Sequence, residues 1–539
     1  MQKRFLYLIS IILLSVGLVT AVYTTYGHFT TETTTALDLT HSSLLEQNTP
    51  APNCRYGVTA WNNRDVPWLE ELGVGWVANF NVRFNQQLPD GVEYVPTMRI
   101  IQSRDANGNR LPDWEVRLGT PELTDDPGGL GPVIAANPGR LWLVGNEVDR
   151  VVWQDDMMPD IYAKAYHDIY HFIKERDPSA QIAISGLVQV SPGRLQYLDL
   201  VWDAYLQKYG QPMPVDVWNM HAYILAERRF GTTQGSYAAV ALGTDPLIAI
   251  QNNPNLNLPM PERISLCHRD DVYCYYEHDS IDWFTWQIVA MRQWMKEKGQ
   301  QNKPLIITEY SVLFPYVEDG AGGCGLRDEF GECFTPERVS NFMADTFDYM
   351  ESATDPNLGY PRDNYRLVQQ WMWFAFYYDH SQGTANRLVD VGEDENGNEI
   401  IIGFSPIGET HRDYVAAQPR FANILLDSVS MPVIHAGQIT ETITVTLSAS
   451  LYNNGNIWNP DPVTVEFFAD EALTQPIGTA ILPANYIAGC ARQPQTASVE
   501  WADLESGTHS YWVRVGNQVS KGMVYIDPEQ LFMPVIRYR

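Results

Sequence analysis

Eight times between residues 56 and 377 the chain shows a short apolar run bounded by turn residues, and several of the intervening stretches have the 3.6-residue periodicity of amphipathic helices. The runs are 56–61, 75–81, 94–100, 141–147, 182–188, 215–223, 304–310 and 370–377, and each predicts a strand. The clearest helical stretches are 161–175, which stops before Asp177-Pro178, then 195–209, 281–298 and 336–350. Strands separated by helices pair in parallel, because a parallel pair needs a long crossover. Eight such alternations in about 375 residues fit an α/β fold closed as a (β/α)8 TIM barrel with insertions better than an open sheet. The segment after the second strand leaves little room for a regular helix.

The surplus length is concentrated after particular strands. Asp105-Ala-Asn-Gly-Asn109 follows the third strand and Asp394-Glu-Asn-Gly-Asn398 the eighth; both read as hairpin turns, since Asn-Gly supplies positive φ. Longer excursions, 224–280 and 311–335, follow strands six and seven. All four therefore belong on the C-terminal face of a barrel, where such folds carry their sites. Cys267 with Cys274, and Cys324 with Cys333, are spaced to close small disulfide loops in the two excursions, stiffening a cleft or shielding loops from proteolysis. Cys54 and Cys490 are left over, with their pairing open. No CxxC occurs, and no metal or cofactor is expected. His167 and His171 are four apart on one helix but lack an acidic ligand pattern, and read as helix surface.

Two apolar strands deliver a carboxylate at their C-terminal ends: Leu141-Trp-Leu-Val-Gly-Asn146-Glu147 and Pro304-Leu-Ile-Ile-Thr308-Glu309-Tyr310. A buried ionisable group is costly unless it is paired or used. Strands four and seven face each other across a barrel mouth, so Glu147 and Glu309, 162 residues apart, would meet there. Such a pair is what retaining cleavage of a glycosidic bond needs: one carboxyl protonates the leaving oxygen and the other attacks the anomeric carbon. The blander reading makes Glu147 the partner of Arg150 or Arg99 in a structural ion pair, and Glu309 an ordinary strand-end carboxylate.

This layout resembles clan A of the glycoside hydrolases, (β/α)8 barrels with Asn-Glu closing strand four and Glu closing strand seven. The matching residues are Gly145-Asn146-Glu147 and Ile307-Thr308-Glu309-Tyr310, and the layout covers about 375 residues. The resemblance implies that Glu147 is the acid/base, Glu309 the nucleophile, and Asn146 a donor to the sugar 2-hydroxyl. It also implies that Tyr223, in Asp216-Val-Trp-Asn-Met-His221-Ala-Tyr223, holds the nucleophile. His221 is either a substrate contact or a hydrogen-bonded wall residue. Trp371 or Trp373 would form the floor under the sugar, and Trp61 is a further candidate contact. The clan's arginine near the nucleophile has two candidates, Arg83 and Arg99. Val148 stands where many relatives have proline, which points away from the commonest cellulase-like families.

The chain's ends differ from the barrel. Met1-Gln2-Lys3-Arg4 precedes an apolar run, 5–23, and Val19-Thr20-Ala21 offers a cleavage site; residues 1–22 read as a signal peptide or membrane anchor. Thr/Ser-rich 23–52 reads as a tether, 53–428 as the barrel, 437–530 as a β-sandwich, and 531–539 as a tail. The sharp change of pattern near 430 makes the barrel a separable unit. VTVEFFADEALTQPIGTA resembles a bacterial extracellular immunoglobulin-like family related to cell-adhesion domains. The formal net charge of −29 argues against nucleic acid as a partner. The expectation is a monomeric, secreted or cell-surface retaining glycosidase acting on β-linked poly- or oligosaccharides, with membrane contact only through 5–23. A non-catalytic carbohydrate-binding or surface protein, or a cell-wall transglycosylase sharing every site residue, are the alternatives.

Overall fold

The computed structural model describes residues 51–60, 65–84, 87–152, 154–225, 227–228, 241–245, 272–273, 278–313, 328, 332–377, 386–435 and 443–526. Residues 50–539 make one compact unit. Eight parallel strands form its centre: β1 Asn53–Thr59, β2 Val74–Asn79, β3 Glu93–Met98, β4 Leu141–Val144, β5 Gln181–Ile184, β6 Trp218–His221, β7 Leu305–Tyr310 and β8 Gln370–Trp373. Their order is β5-β4-β3-β2-β1-β8-β7-β6, and a parallel bridge from Ala183 to Val217 joins the two ends. The sheet is a TIM barrel, and every expected strand is in it.

Side-chain alternation separates the barrel's two faces. Trp76, Ala78, Val95, Leu141, Leu143, Ala183, Val217, Ile306 and Met372 fill the interior. Gly57 makes room for the Trp76 indole, since a Cβ there would lie 2.6 Å from the ring. The alternate residues, among them Tyr56, Trp142, Trp218, Trp371 and Trp373, pack in the larger core with the helices.

The expected helices form as α3 Pro159–Arg176, α4 Pro192–Tyr209, α5 Ile281–Glu297 and α6 Pro336–Ser352. Proline opens α3, α4 and α6, where its missing N–H costs nothing. Ser280 and Thr335 cap α5 and α6 through their side chains. Three helices were not expected: α1 Val66–Leu72 and α2 Leu130–Ala136, each of seven residues, and α7 Pro406–Ala417. Among the described residues no helix separates β2 from β3.

Both Asn-Gly turns close antiparallel hairpins, 100–104 with 110–116 and 389–393 with 399–404. In each, one aspartate carboxylate takes up two backbone amides of the turn and an asparagine side chain, and the glycine has positive φ. Cys333 is disulfide-bonded; Cys267, Cys274 and Cys324 lie outside the described residues.

The C-terminal part is all β, with a three-stranded and a five-stranded sheet enclosing a core of Val445, Leu447, Leu451, Val465, Phe467, Val513 and Val524. It takes in Ile424–Val429, which pairs with Ile443–Asn453 although the sequence reading left most of it with the barrel. It lies against the N-terminal end of the barrel. Cys54 in β1 is disulfide-bonded to Cys490, and its amide donates to the Asn456 carbonyl. Largely buried Arg492 pairs with Glu93, the first residue of β3.

Candidate active site

At the opposite end, the carboxylates of β4 and β7 converge, and each needs a break in regular geometry to do so. Beyond β4, Gly145 has φ 87° and Glu147 itself φ 48°, the left-handed region that residues with a Cβ avoid. The Glu147 amide donates to the Gly186 carbonyl beyond β5 (3.0 Å), and the Arg150 amide closes the turn on the Glu147 carbonyl (2.9 Å). In β7, Ile306 faces the interior and Ile307 the helices, so strict alternation would send Glu309 toward the helices. A register shift between Ile307 and Glu309 prevents this and sets Glu309 beside His221 of β6. Thr308, at the shift, donates its hydroxyl to Asn219 Oδ1 at 2.9 Å.

His221 lies between the two glutamates. Its Nδ1 is 3.3 Å from Glu147 Oε1 and its Nε2 3.6 Å from Glu309 Oε1. One oxygen of each carboxylate and an imidazole nitrogen all lie within 4.8 Å of one another. Tyr223 donates its hydroxyl to Glu309 Oε2 at 2.9 Å, and Arg150 Nη1 donates to Glu147 Oε2 at 2.9 Å. Gly186 admits the imidazole: a Cβ there would come within 2.3 Å of His221 Cδ2.

The surroundings push the two carboxyls apart in acidity. Burial favours a neutral Glu147, but Arg150 and His221 outweigh it and hold the carboxyl down to about 2. Glu309 is buried too; with the charge of Glu147 added, it rises to about 7 despite His221 and the Tyr223 hydroxyl. Burial opposes charge on His221 as well, yet the two glutamates raise its pKa. In this resting state Glu147 is therefore the ionised carboxylate and Glu309 the group that holds a proton near neutrality.

A second layer fixes the loop after β4. Fully buried Asp155 accepts from the amides of Asn146 (2.9 Å) and Ile100 (3.2 Å) and pairs with Arg99 at 2.7 Å. Asn146 and Arg99 thus both belong to the mouth, and Arg99 helps to hold down Glu309. Arg194 joins buried Asp149 and Glu227 at 2.7 and 2.9 Å, tying the loops after β4 and β6. An apolar wall of Val188, Tyr223, Leu225, Phe374 and Ala375, with Phe80 and Leu313 against it, stands beside Glu309.

Glu147, Glu309, His221 and Tyr223 thus meet as the sequence suggested. Trp371 and Trp373 do not join them. Both point into the barrel–helix layer, Trp371 against Tyr56 and Trp373 against Tyr310, because the strand's parity turns Met372 inward instead. The aromatic beside the site is Phe374, in edge contact with Tyr223. Trp61 lies outside the described residues. Gly186, Asp155 and Phe374 were not singled out from sequence; only the Ser-Gly step after strand five marks Gly186. Glu147, His221 and Glu309 also have the spacing of metal ligands, although a guanidinium seated on Glu147 opposes a dication there.

No protein-family model and no curated protein matches the chain. It is similar to several solved structures, at low identity. A β-xylosidase from Caulobacter crescentus CB15 is 11% identical, over 84% of this chain and 95% of that one, with a TM-score of 0.37. An endo-β-1,4-mannanase from Thermotoga petrophila is 12% identical, over 89% and 99%, with a TM-score of 0.30. An FMN-binding β-glucuronidase from Facaelibacterium prausnitzii L2-6 is 10% identical over 90% of this chain but spans it with only 57% of its own length, with a TM-score of 0.31. Likeness at this level says nothing of activity or substrate.

Proposed function

We propose that this chain is an exported retaining glycoside hydrolase that cleaves β-glycosidic bonds in a poly- or oligosaccharide, with Glu147 as acid/base and Glu309 as nucleophile. The observation that carries this reading is the approach of the two carboxylates. One oxygen of each lies within 4.8 Å of the other, in keeping with carboxyl groups placed for direct attack, roughly 5–5.5 Å apart, rather than the roughly 6.5–9.5 Å that admits a water between them. The Tyr223 hydroxyl on Glu309 supports the same roles, since it orients one carboxylate oxygen and leaves the other, Oε1, without a hydrogen bond. NMR of the first-formed sugar tests the mechanism: retained anomeric configuration is expected, and inverted product removes Glu309 as nucleophile.

One observation favours a second reading, in which the roles are exchanged. With Glu147 held ionised by Arg150 and Glu309 raised to about 7, the resting charges suit Glu147 as nucleophile and Glu309 as acid. Mass spectrometry after reaction with a 2-deoxy-2-fluoro glycoside, which traps the glycosyl-enzyme, decides between them: the label is expected on Glu309 and falls on Glu147 if the roles are reversed.

A further inference from the structure

Taking Glu147 as the acid, its partner becomes the difficulty. A general acid must carry a proton when the leaving oxygen arrives, yet Arg150 sits on this carboxylate at 2.9 Å and is itself only 18% exposed. Arg150 has little else to hold. Its Nε is buried without a hydrogen bond, and the neighbouring carboxylate, Asp149, is taken by fully buried Arg194. Cationic charge extends along the same rim: Arg99 already occupies Asp155, while Arg117 reaches the Gln154 carbonyl at 2.9 Å.

A substrate that brings its leaving oxygen to Glu147 must displace this guanidinium or share it. A neutral sugar offers only hydroxyls, which are poor replacements for a carboxylate on a guanidinium largely withdrawn from water. An anion can, because guanidinium and carboxylate match in bidentate geometry. We propose that Arg150 is the receptor for an anionic group on the substrate, the carboxylate of a uronic acid or the sulfate of a sulfated sugar, so that the enzyme acts on acidic glycans. The proposal rests on the glycosidase reading for its link to catalysis, though not for the binding itself. With Arg150 drawn onto the substrate, Glu147 keeps only His221 as a cationic partner and takes over the proton that Glu309 holds at rest, which leaves Glu309 ionised for attack. Binding of the correct substrate then arms the acid, and a neutral sugar leaves it unarmed.

Calorimetric titration of the full-length protein with matched β-1,4 trimers tests this: cellotriose against triglucuronate, mannotriose against trimannuronate, and 6-O-sulfated cellotriose. At least one acidic trimer is expected to bind about tenfold or more tightly than its neutral counterpart. Arg150→Met should abolish the preference, and Arg150→Lys should restore part of it without the bidentate contact. Melting curves establish that each variant is folded. Preference for the sulfated trimer over the uronates keeps the anion site and assigns it to sulfate. Equal binding of neutral and acidic trimers, binding of neither, or a preference unchanged in Arg150→Met overturns the proposal. Hydrolysis followed on the same trimers separates the two readings: cleavage of neutral trimers without acidic preference removes only the anion site, and tight acidic binding without cleavage removes only the hydrolase.

Discussion

Glu147 is held in a backbone conformation that costs on the order of 1–3 kcal/mol for a residue with a Cβ, and its buried carboxylate is paired with the partly exposed Arg150. Both features aim one carboxylate at another, and the chemistry follows from which of them holds the proton. If Glu309 is the nucleophile it must be ionised, so kcat/KM should rise as pH climbs through about 7, the pKa of Glu309. If the roles are exchanged, Glu309 must be protonated and the same limb falls as pH passes 7. A pH profile on a single substrate reads the sign. Substitution separates the roles again. Glu309→Gln should abolish turnover of every substrate. Glu147→Gln should cost about 10²–10⁴-fold where the leaving group needs a proton, and much less with an activated aryl group that departs unaided. Equal losses on the two leaving groups count against Glu147 as the acid. The two carboxylates were legible in the sequence because each closes an apolar run, where an unused charge is expensive. The left-handed turn at Glu147 was not, because nothing in Gly-Asn-Glu-Val specifies the φ of its third residue.

At the scale of single elements, the site depends on small departures from regular strands. The register shift at Thr308 decides that Glu309 meets His221 instead of a helix, and Gly186 decides that the imidazole has room. Gly186→Ala should therefore displace His221, and with it the bridge between both glutamates. Activity should drop on the order of 100-fold, as for a misplacement of about 1 Å, while the melting temperature changes little. An unchanged rate would show that the imidazole is not needed where it stands. Parity explains the error at β8. Trp371 and Trp373 share a face, as alternation requires, but the sequence does not say which face looks inward, because both carry large apolar residues. The structure answers it: Met372 joins Trp76 in the interior, and Gly57 is what makes room for that indole. The strands and the four longer helices were legible from periodicity and flanking prolines. The seven-residue α1 and α2 are too short for that signal to rise above their loops.

Across the whole molecule, the charged mouth and the covered base of the barrel are separate problems. The β domain answers the second. It presents Cys490 and Arg492 to the first residues of β1 and β3, so a largely buried guanidinium meets the buried Glu93 carboxylate at the closed end. From sequence alone, Cys54 and Cys490 had no reason to pair, since 436 residues separate them and only the folded chain brings them together. These contacts limit the separability that the change of pattern near 430 suggested. Cutting the chain after the barrel would leave Glu93 without its cation and uncover the N-terminal ends of the strands, and stranding one partner of a buried pair typically costs about 3–5 kcal/mol. A fragment ending at residue 423 should accordingly melt well below the full chain. The double substitution Cys54→Ala, Cys490→Ala should lie between the two, because it removes the covalent tie, about 2–5 kcal/mol, and keeps the ion pair. The catalytic carboxylates lie at the other end of the barrel, so kcat of whatever remains folded at low temperature should be close to that of the full chain in both proteins. Melting curves and rates on the same samples check this together. A fragment as stable as the full chain would show that the β domain is an appendage. A fragment that stays folded but loses its activity would show that the base of the barrel transmits strain to Glu147 and Glu309.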